Sequence, residues 1–188
     1  MAQPMHLERI NEAIEKHDIA IWNKWREDNP DVQPDLSGAS LKRVDLKEAS
    51  LYGVIFKDAN LRGSDLSNAD LHGSDLNKAN LVRTHFSAAN LAEAHFNGAD
   101  LSEANLSMAN LCNADFSEAH LLGALLQEAD LDGAKFEDNV KELSLFQIKT
   151  AKHWENAFYG VSVLESLGLP PDHNEKLREG NGINSMKT

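Results

Sequence analysis

The stretch Ala59-Asn60-Leu61-Arg62-Gly63-Ser64-Asp65-Leu66-Ser67-Asn68-Ala69-Asp70-Leu71-His72-Gly73 decides the fold. A small residue, a short polar residue and a leucine recur every five positions, followed by two variable residues that include Gly63 and Gly73. Outward from this segment the leucine position continues without a gap from Leu36 to Phe136, with Leu or Phe at all 21 steps. The position two residues earlier is mostly Ala, unbroken from Ala89 to Ala134.

A period of five excludes both ordinary regular structures. In a helix, at about 100° per residue, successive leucines would wander around the axis and define no face. In a straight strand the side chains alternate, so each five-residue step would flip the leucine to the opposite face. The pattern closes if each repeat is a short strand followed by a corner. The small residue and the leucine then point inward, the residue between them points outward, and the last two turn the chain. Glycine collects at those corners, at Gly38, Gly53, Gly63, Gly73, Gly98, Gly123 and Gly133. Proline is absent from Asp35 through Leu169, as a chain whose N–H groups bond the neighbouring coil requires. Phe56, Phe96, Phe116 and Phe136 differ by multiples of 20, which predicts coils of four repeats with aromatics stacked on one side; Phe86 is off that register. Positions 39, 59, 79, 99 and 119 are all Ala, and so are 49, 69, 89, 109 and 129, whereas the columns between them admit Val44, Ser64, Thr84, Val54 and Ser74.

Residues 34–138 resemble the pentapeptide-repeat family, whose unit is Ala, Asp or Asn, Leu and two variable residues. The resemblance implies an all-β solenoid, a right-handed quadrilateral β-helix of about five coils and a rod roughly 24 Å long. Such a rod has open ends that need caps. Residues 1–33 are read as an N-terminal helical cap, with Leu7, Ile10 and Ile14 at helical spacing and a second helix from Asp18 carrying Ile19, Trp22 and Trp25 and stopping before Pro30. Its run from Trp22 to Ala39 is similar to the opening segment of many bacterial members. Residues 139–170 are read as a C-terminal helical cap similar to segments of cyanobacterial members. There Ser144 caps a helix through Leu145, Phe146, Ile148, Ala151 and Trp154, and a shorter helix around Ser162–Leu167 ends at Gly168. Residues 171–188 are polar and read as a disordered tail.

The net charge of −12 opposes binding to nucleic acid or anionic membrane. The first residues lack the basic and apolar regions of a secretory signal, and no run of 18 apolar residues exists, so a cytoplasmic location without membrane contact is expected. Cys112 is the single cysteine. No catalytic, cofactor-binding or metal-binding residues are predicted, and the chain is read as no enzyme. The repeated Asp serves the strand edge, and the outward His72, His85, His95 and His120 are spaced poorly for a shared ion.

Two departures from the bare repeat remain. Residues 34–83 carry seven acidic and seven basic side chains, whereas residues 84–134 carry eight acidic ones and no Lys or Arg: Glu93, Asp100, Glu103, Asp115, Glu118, Glu128, Asp130 and Asp132. Leu122 and Leu125 occupy outward positions, where the C-terminal helix is expected to fold back over them. Tyr52 with Ile55, expected under the N-terminal helices, Val82 and Met108 are milder cases. These ten residues, the acidic set with Leu122 and Leu125, form the candidate partner surface. The function so implied is a non-catalytic protein-binding scaffold or regulatory protein without cofactors, binding an unidentified protein of basic character. It is expected to be a monomer because both ends read as capped. The alternative carried by the resemblance is a DNA mimic. Family members that protect against quinolones resemble duplex DNA in width and charge and bind DNA gyrase. This chain differs from them in lacking a loop between coils and in its helical C-terminal segment.

Overall fold

The computed structural model describes residues 2–136 and 140–185, with residues 180–185 described by backbone alone. The repeat forms a β-helix. Each outward residue pairs in parallel with the one twenty positions on, as in Asn60 with Asn80 and Asp65 with His85, so a coil closes after four five-residue repeats. The four sides are named here by their outward residues. The first side carries Asp75, His95, Asp115 and Lys135; the second Asn60, Asn80, Asp100 and His120; the third Asp45, Asp65, His85, Asn105 and Leu125; the fourth Asp70, Asn90, Asn110 and Asp130.

Every N–H of a repeat has a destination. The Asn60 N–H donates to Ala39 in the coil below, and those of Leu61 and Gly63 donate to Asn80 and Val82 in the coil above. The Ser64 N–H closes the corner onto Leu61 at 3.0 Å. The fifth, that of Arg62, is accepted by the Asn60 side chain. The same short side chain accepts the same N–H at Asp65, Asp70, Asp75, Asp100, Asp115 and Asp130. This is why Asp or Asn precedes the leucine: it satisfies the one donor that the ladder leaves over. At the other end of the corner the third turn residue has positive φ throughout, from 55° at Arg43 to 70° at Gly38. That conformation explains the glycines. Glu48, Glu93, Glu103 and Glu128 adopt it as well, a strain that the surrounding ladder and core offset.

Inside, the leucine, phenylalanine and alanine columns are fully buried. Phe96, Phe116 and Phe136 stack at 4.8 and 4.9 Å. Phe56 shares their side, but Leu76 intervenes. Ser64 and Thr84, buried in a small-residue column, donate to the Leu41 and Leu61 carbonyls.

Helices α1 (Pro4–Glu15) and α2 (Ala20–Asp28) pack on the first coil. Trp22 is fully buried and donates from Nε1 to the Ser50 carbonyl at 2.9 Å. Asn23 bonds both the Glu48 carbonyl and the Ser50 N–H. Arg26, buried although charged, donates to Val32 and Tyr52 carbonyls and lies 4.0 Å from the Tyr52 ring centre.

The C-terminal segment departs from its expected form. The helix predicted from Leu145 to Trp154 is α3 (Leu145–Lys149) followed by a separate 3₁₀ turn (Trp154–Asn156). Between and beyond them the chain returns to the ladder. Lys141 pairs with His120, Lys152 with Asp130, and strand β1 (Lys135–Phe136) with β2 (Phe158–Tyr159). Residues 141–159 therefore form an irregular further turn of the solenoid. Ile148, Ala151, Ala157 and Tyr159 extend the interior, and Tyr159 continues the aromatic stack at 5.7 Å from Phe136. Ser144 caps α3 as predicted. A short helix follows as α4 (Val161–Leu167); of the tail expected to be disordered, His173–Ser185 form α5, and residues 186–188 lie outside the described residues. Its start is held because Asn174 bonds both backbone groups of Tyr159 and His173 is buried against the Ala157 carbonyl.

Candidate functional site

The acidic coils do not present one uniform negative surface. Glu103 forms a double hydrogen bond with Arg83 one coil below, at 2.9 and 3.1 Å, which holds its carboxyl below the usual range. The C-terminal turn then brings cations to the fourth side. Lys152 lies 3.2 Å from Glu128, His153 lies 2.7 Å from Asp130, and Asn156 donates to Asp132 at 2.7 Å. The carboxylate of Asp130 raises the His153 pKa. The pairs with Lys152, His153 and Asn156 were not legible in the repeat, because these groups arrive from sequence more than twenty residues away, where the five-residue period has lapsed.

What remains open is a smaller set. Glu93, Asp100, Asp115 and Glu118 make no ion pair among the described residues, and they occupy the first and second sides and the edges beside them. Asp100 and Asp115 also accept from the N–H and hydroxyl of Ser102 and Ser117, so part of each carboxylate serves its turn. His95 and Lys135 stand beside Asp115, and His120 with Lys141 beside Glu118, where Lys141 Nζ is 3.1 Å from the His120 ring.

Leu122 and Leu125 are not covered. They are 54% and 44% exposed, against the expectation that the C-terminal helix folds over them. The reason is the seat of α3. Gln147 reaches down to the Leu121 and Ala124 carbonyls and Ile148 points inward, so α3 sits on the end of the rod and leaves its side bare. Tyr52 behaves as expected and lies under Arg26, and Val82 is buried. Cys112 sits near Asp130 and Asp132; burial first, and then those carboxylates, push its thiol pKa up, away from reactivity. Among the described residues no cluster of His, Cys, Asp and Glu is placed to hold a metal ion, and no helix is long and apolar enough to cross a membrane.

A family model described as pentapeptide repeats matches eight copies, at residues 35–68, 69–107, 79–117 and 104–138. The chain belongs to the pentapeptide-repeat family. Solved relatives include a pentapeptide-repeat protein, Rfr23, from the cyanobacterium Cyanothece 51142, with 27% identity over 66% of this chain and 87% of that one and a TM-score of 0.43. Another comes from the Arabidopsis thaliana thylakoid lumen, with 31% identity over 61% and 68% of the two chains and a TM-score of 0.32. A third is QnrB1, a plasmid-mediated fluoroquinolone resistance protein, at 22% identity over 68% and 65%, with a TM-score of 0.46. No curated protein matches the sequence.

Proposed function

We propose that this pentapeptide-repeat protein is a non-catalytic, cytoplasmic protein-binding rod, right-handed and four-sided. In this reading α1 and α2 cap one end and the residues after 139 cap the other. It acts as a scaffold or regulator by docking a basic protein surface against its first and second sides. The observation that carries this reading is the group Glu93, Asp100, Asp115 and Glu118, which is left without ion pairs on two adjoining sides of a rod built from rigid ladders. Such a surface attracts a basic partner at long range, and a pre-formed solenoid loses little entropy when it binds.

The test is capture from native cell extract with the protein carrying Glu93→Lys and Glu118→Lys. Both are corner positions outside the turn hydrogen bonds, so the fold is expected to survive. A partner held by the unaltered rod and released by about 0.5 M salt should be lost from the variant; equal capture by both proteins would remove the first and second sides from consideration. The DNA-mimic alternative draws on the same acidic coils. It is weakened by the internal pairing of Glu103, Glu128 and Asp130, which breaks up the column of negative charge. Inhibition of gyrase supercoiling by the purified chain would restore it.

A further inference from the structure

The lower rim of the rod is closed on two sides and open on the other two. In each repeat three backbone groups face the coil below: the N–H and C=O of the outward residue and the C=O of the residue that begins the corner. Asn60 donates to Ala39 and accepts from Leu41, and the Arg62 carbonyl accepts from Arg43. The first coil has no coil beneath it. On its first side Asp35 and Ser37 are answered by Gln3, Ala2 and His6, and on its fourth side Ser50 and Tyr52 are answered by Asn23, Trp22 and Arg26. On the second and third sides the equivalent six groups bond nothing among the described residues. They are the N–H and C=O of Ser40 and of Asp45 and the C=O of Lys42 and of Lys47.

The interior is open at the same place. Val44 alone among the inward residues from Leu36 to Phe136 is not buried. Below it the α1–α2 turn stands off from the third side and leaves a cavity of about 440 Å³, with apolar walls from Ala13, Ile14, Ile19 and Val44. At the corner between the two open sides Lys42 and Arg43 are exposed and make no ion pair among the described residues.

We propose that this open rim docks an extended segment of a partner protein, which adds beneath the second and third sides as the half coil that the cap leaves out. Two donors and four acceptors, spaced as the ladder spaces them, are the complement of a main chain. On each side the segment would supply two N–H groups and one carbonyl, as Leu41, Arg43 and Ala39 supply to the coil above. Its small and apolar residues would turn inward and fill the cavity beside Val44. An acidic residue at its corner would meet Lys42 and Arg43. The partner sequence so defined is two units of small, polar and apolar residues joined by an acidic corner.

A small molecule can fill the cavity but cannot span six groups on two sides. A second copy cannot reach the rim. Helices α1 and α2, each about 10 Å across, lie beneath the first coil of both copies and hold the rims farther apart than the roughly 4.8 Å of a ladder. The described ends of this chain are engaged elsewhere, with Ala2 and Gln3 on the first side and α5 at the far end. Charged side chains along the rim oppose unselective strand pairing, which leaves a matched segment as the occupant. The site lies below the coils that carry Glu93 and Glu118 and does not depend on the docking surface proposed above.

The probe is a blocked synthetic peptide with the sequence of Ala99–Met108, which places Leu101 and Leu106 inward and Glu103 at the corner. Hydrogen exchange of the full chain is followed by NMR. Without peptide the Ser40 and Asp45 amides should exchange fast and the Ser50 amide slowly, because Asn23 holds it. Peptide at about 1 mM should slow Ser40 and Asp45 about tenfold, a Kd of about 0.1 mM, and leave Ser50 unchanged. The same peptide with Leu101→Pro and Leu106→Pro lacks two of the upward N–H groups and should slow neither amide. Arg43→Glu in the protein, at an exposed position, should weaken binding several-fold. Unchanged exchange at Ser40 and Asp45, equal slowing by the proline peptide, or slowing that grows with protein concentration in the absence of peptide would each overturn the proposal.

Discussion

The two ends of the rod solve one problem by different means. A β-helix that stops leaves a ring of unpaired N–H and C=O groups, a ready template for unwanted association. At the N-terminal end the Ala2 and Gln3 N–H groups donate to the Ser37 and Asp35 carbonyls, and side chains answer others. Trp22, Asn23 and Arg26 on α2 bond the Ser50, Glu48 and Tyr52 backbones, and His6 on α1 accepts from the Asp35 N–H. At the C-terminal end the main chain answers them. Lys141, Lys152 and Phe158 rejoin the ladder through Ala119, Ala129 and Ala134, and one side chain, Gln147, covers the gap where α3 bulges out. Closure by side chains concentrates stability in a few residues, and closure by main chain spreads it.

If that contrast is correct, the largest single effect should come from Trp22→Ala. It removes a fully buried indole and leaves the Ser50 carbonyl without its donor, a loss of about 4 kcal/mol read as a lower urea midpoint. A loss below about 1 kcal/mol would show that the first coil does not need α2. At the other end Gln147→Ala should cost about 1–2 kcal/mol, because water can reach part of the two carbonyls it abandons. A cost equal to that of Trp22→Ala would break the comparison.

The smallest effect is a pH dependence confined to the C-terminal end. His153 gains its proton more readily in the folded chain because Asp130 accepts from it and attracts it. The pair's contribution is therefore complete below the unfolded value near pH 6.5 and fades as pH rises through the higher folded value. Thermal midpoints of the unaltered chain and of His153→Ala should differ most at acidic pH, below the unfolded value, and converge as pH rises above the raised folded value. A difference that does not change with pH would assign His153 a packing role only.

The same contrast explains what could be read from the sequence. The coils were legible residue by residue, because each five-residue unit repeats one local solution: Ala and Leu inward, Asp or Asn serving one N–H, glycine at the positive-φ corner. The N-terminal end was legible in outline, since Trp22 and Trp25 at helical spacing mark an apolar face with a polar handle. Arg26 was not, because nothing in a single arginine announces burial. The C-terminal turn was misread as plain helix. Its returns to the ladder at Lys141, Lys152 and Phe158 are spaced by insertions, so no period reveals them. The neutralisation of Glu128 and Asp130 was hidden for the same reason, and with it the true extent of the open acidic surface.

The register of twenty makes residue number a coordinate system: the remainder sets the direction a side chain faces, and the quotient sets its height. Twenty residues added in mid-rod would lengthen the molecule and turn nothing. Five added there would swing everything above by a quarter turn. Leu125 would then face the direction Asp130 faces now, while the cavity beside Val44 kept its bearing. Changes of length and changes of bearing are thus separate edits in this fold, and only the second can uncouple features at the two ends.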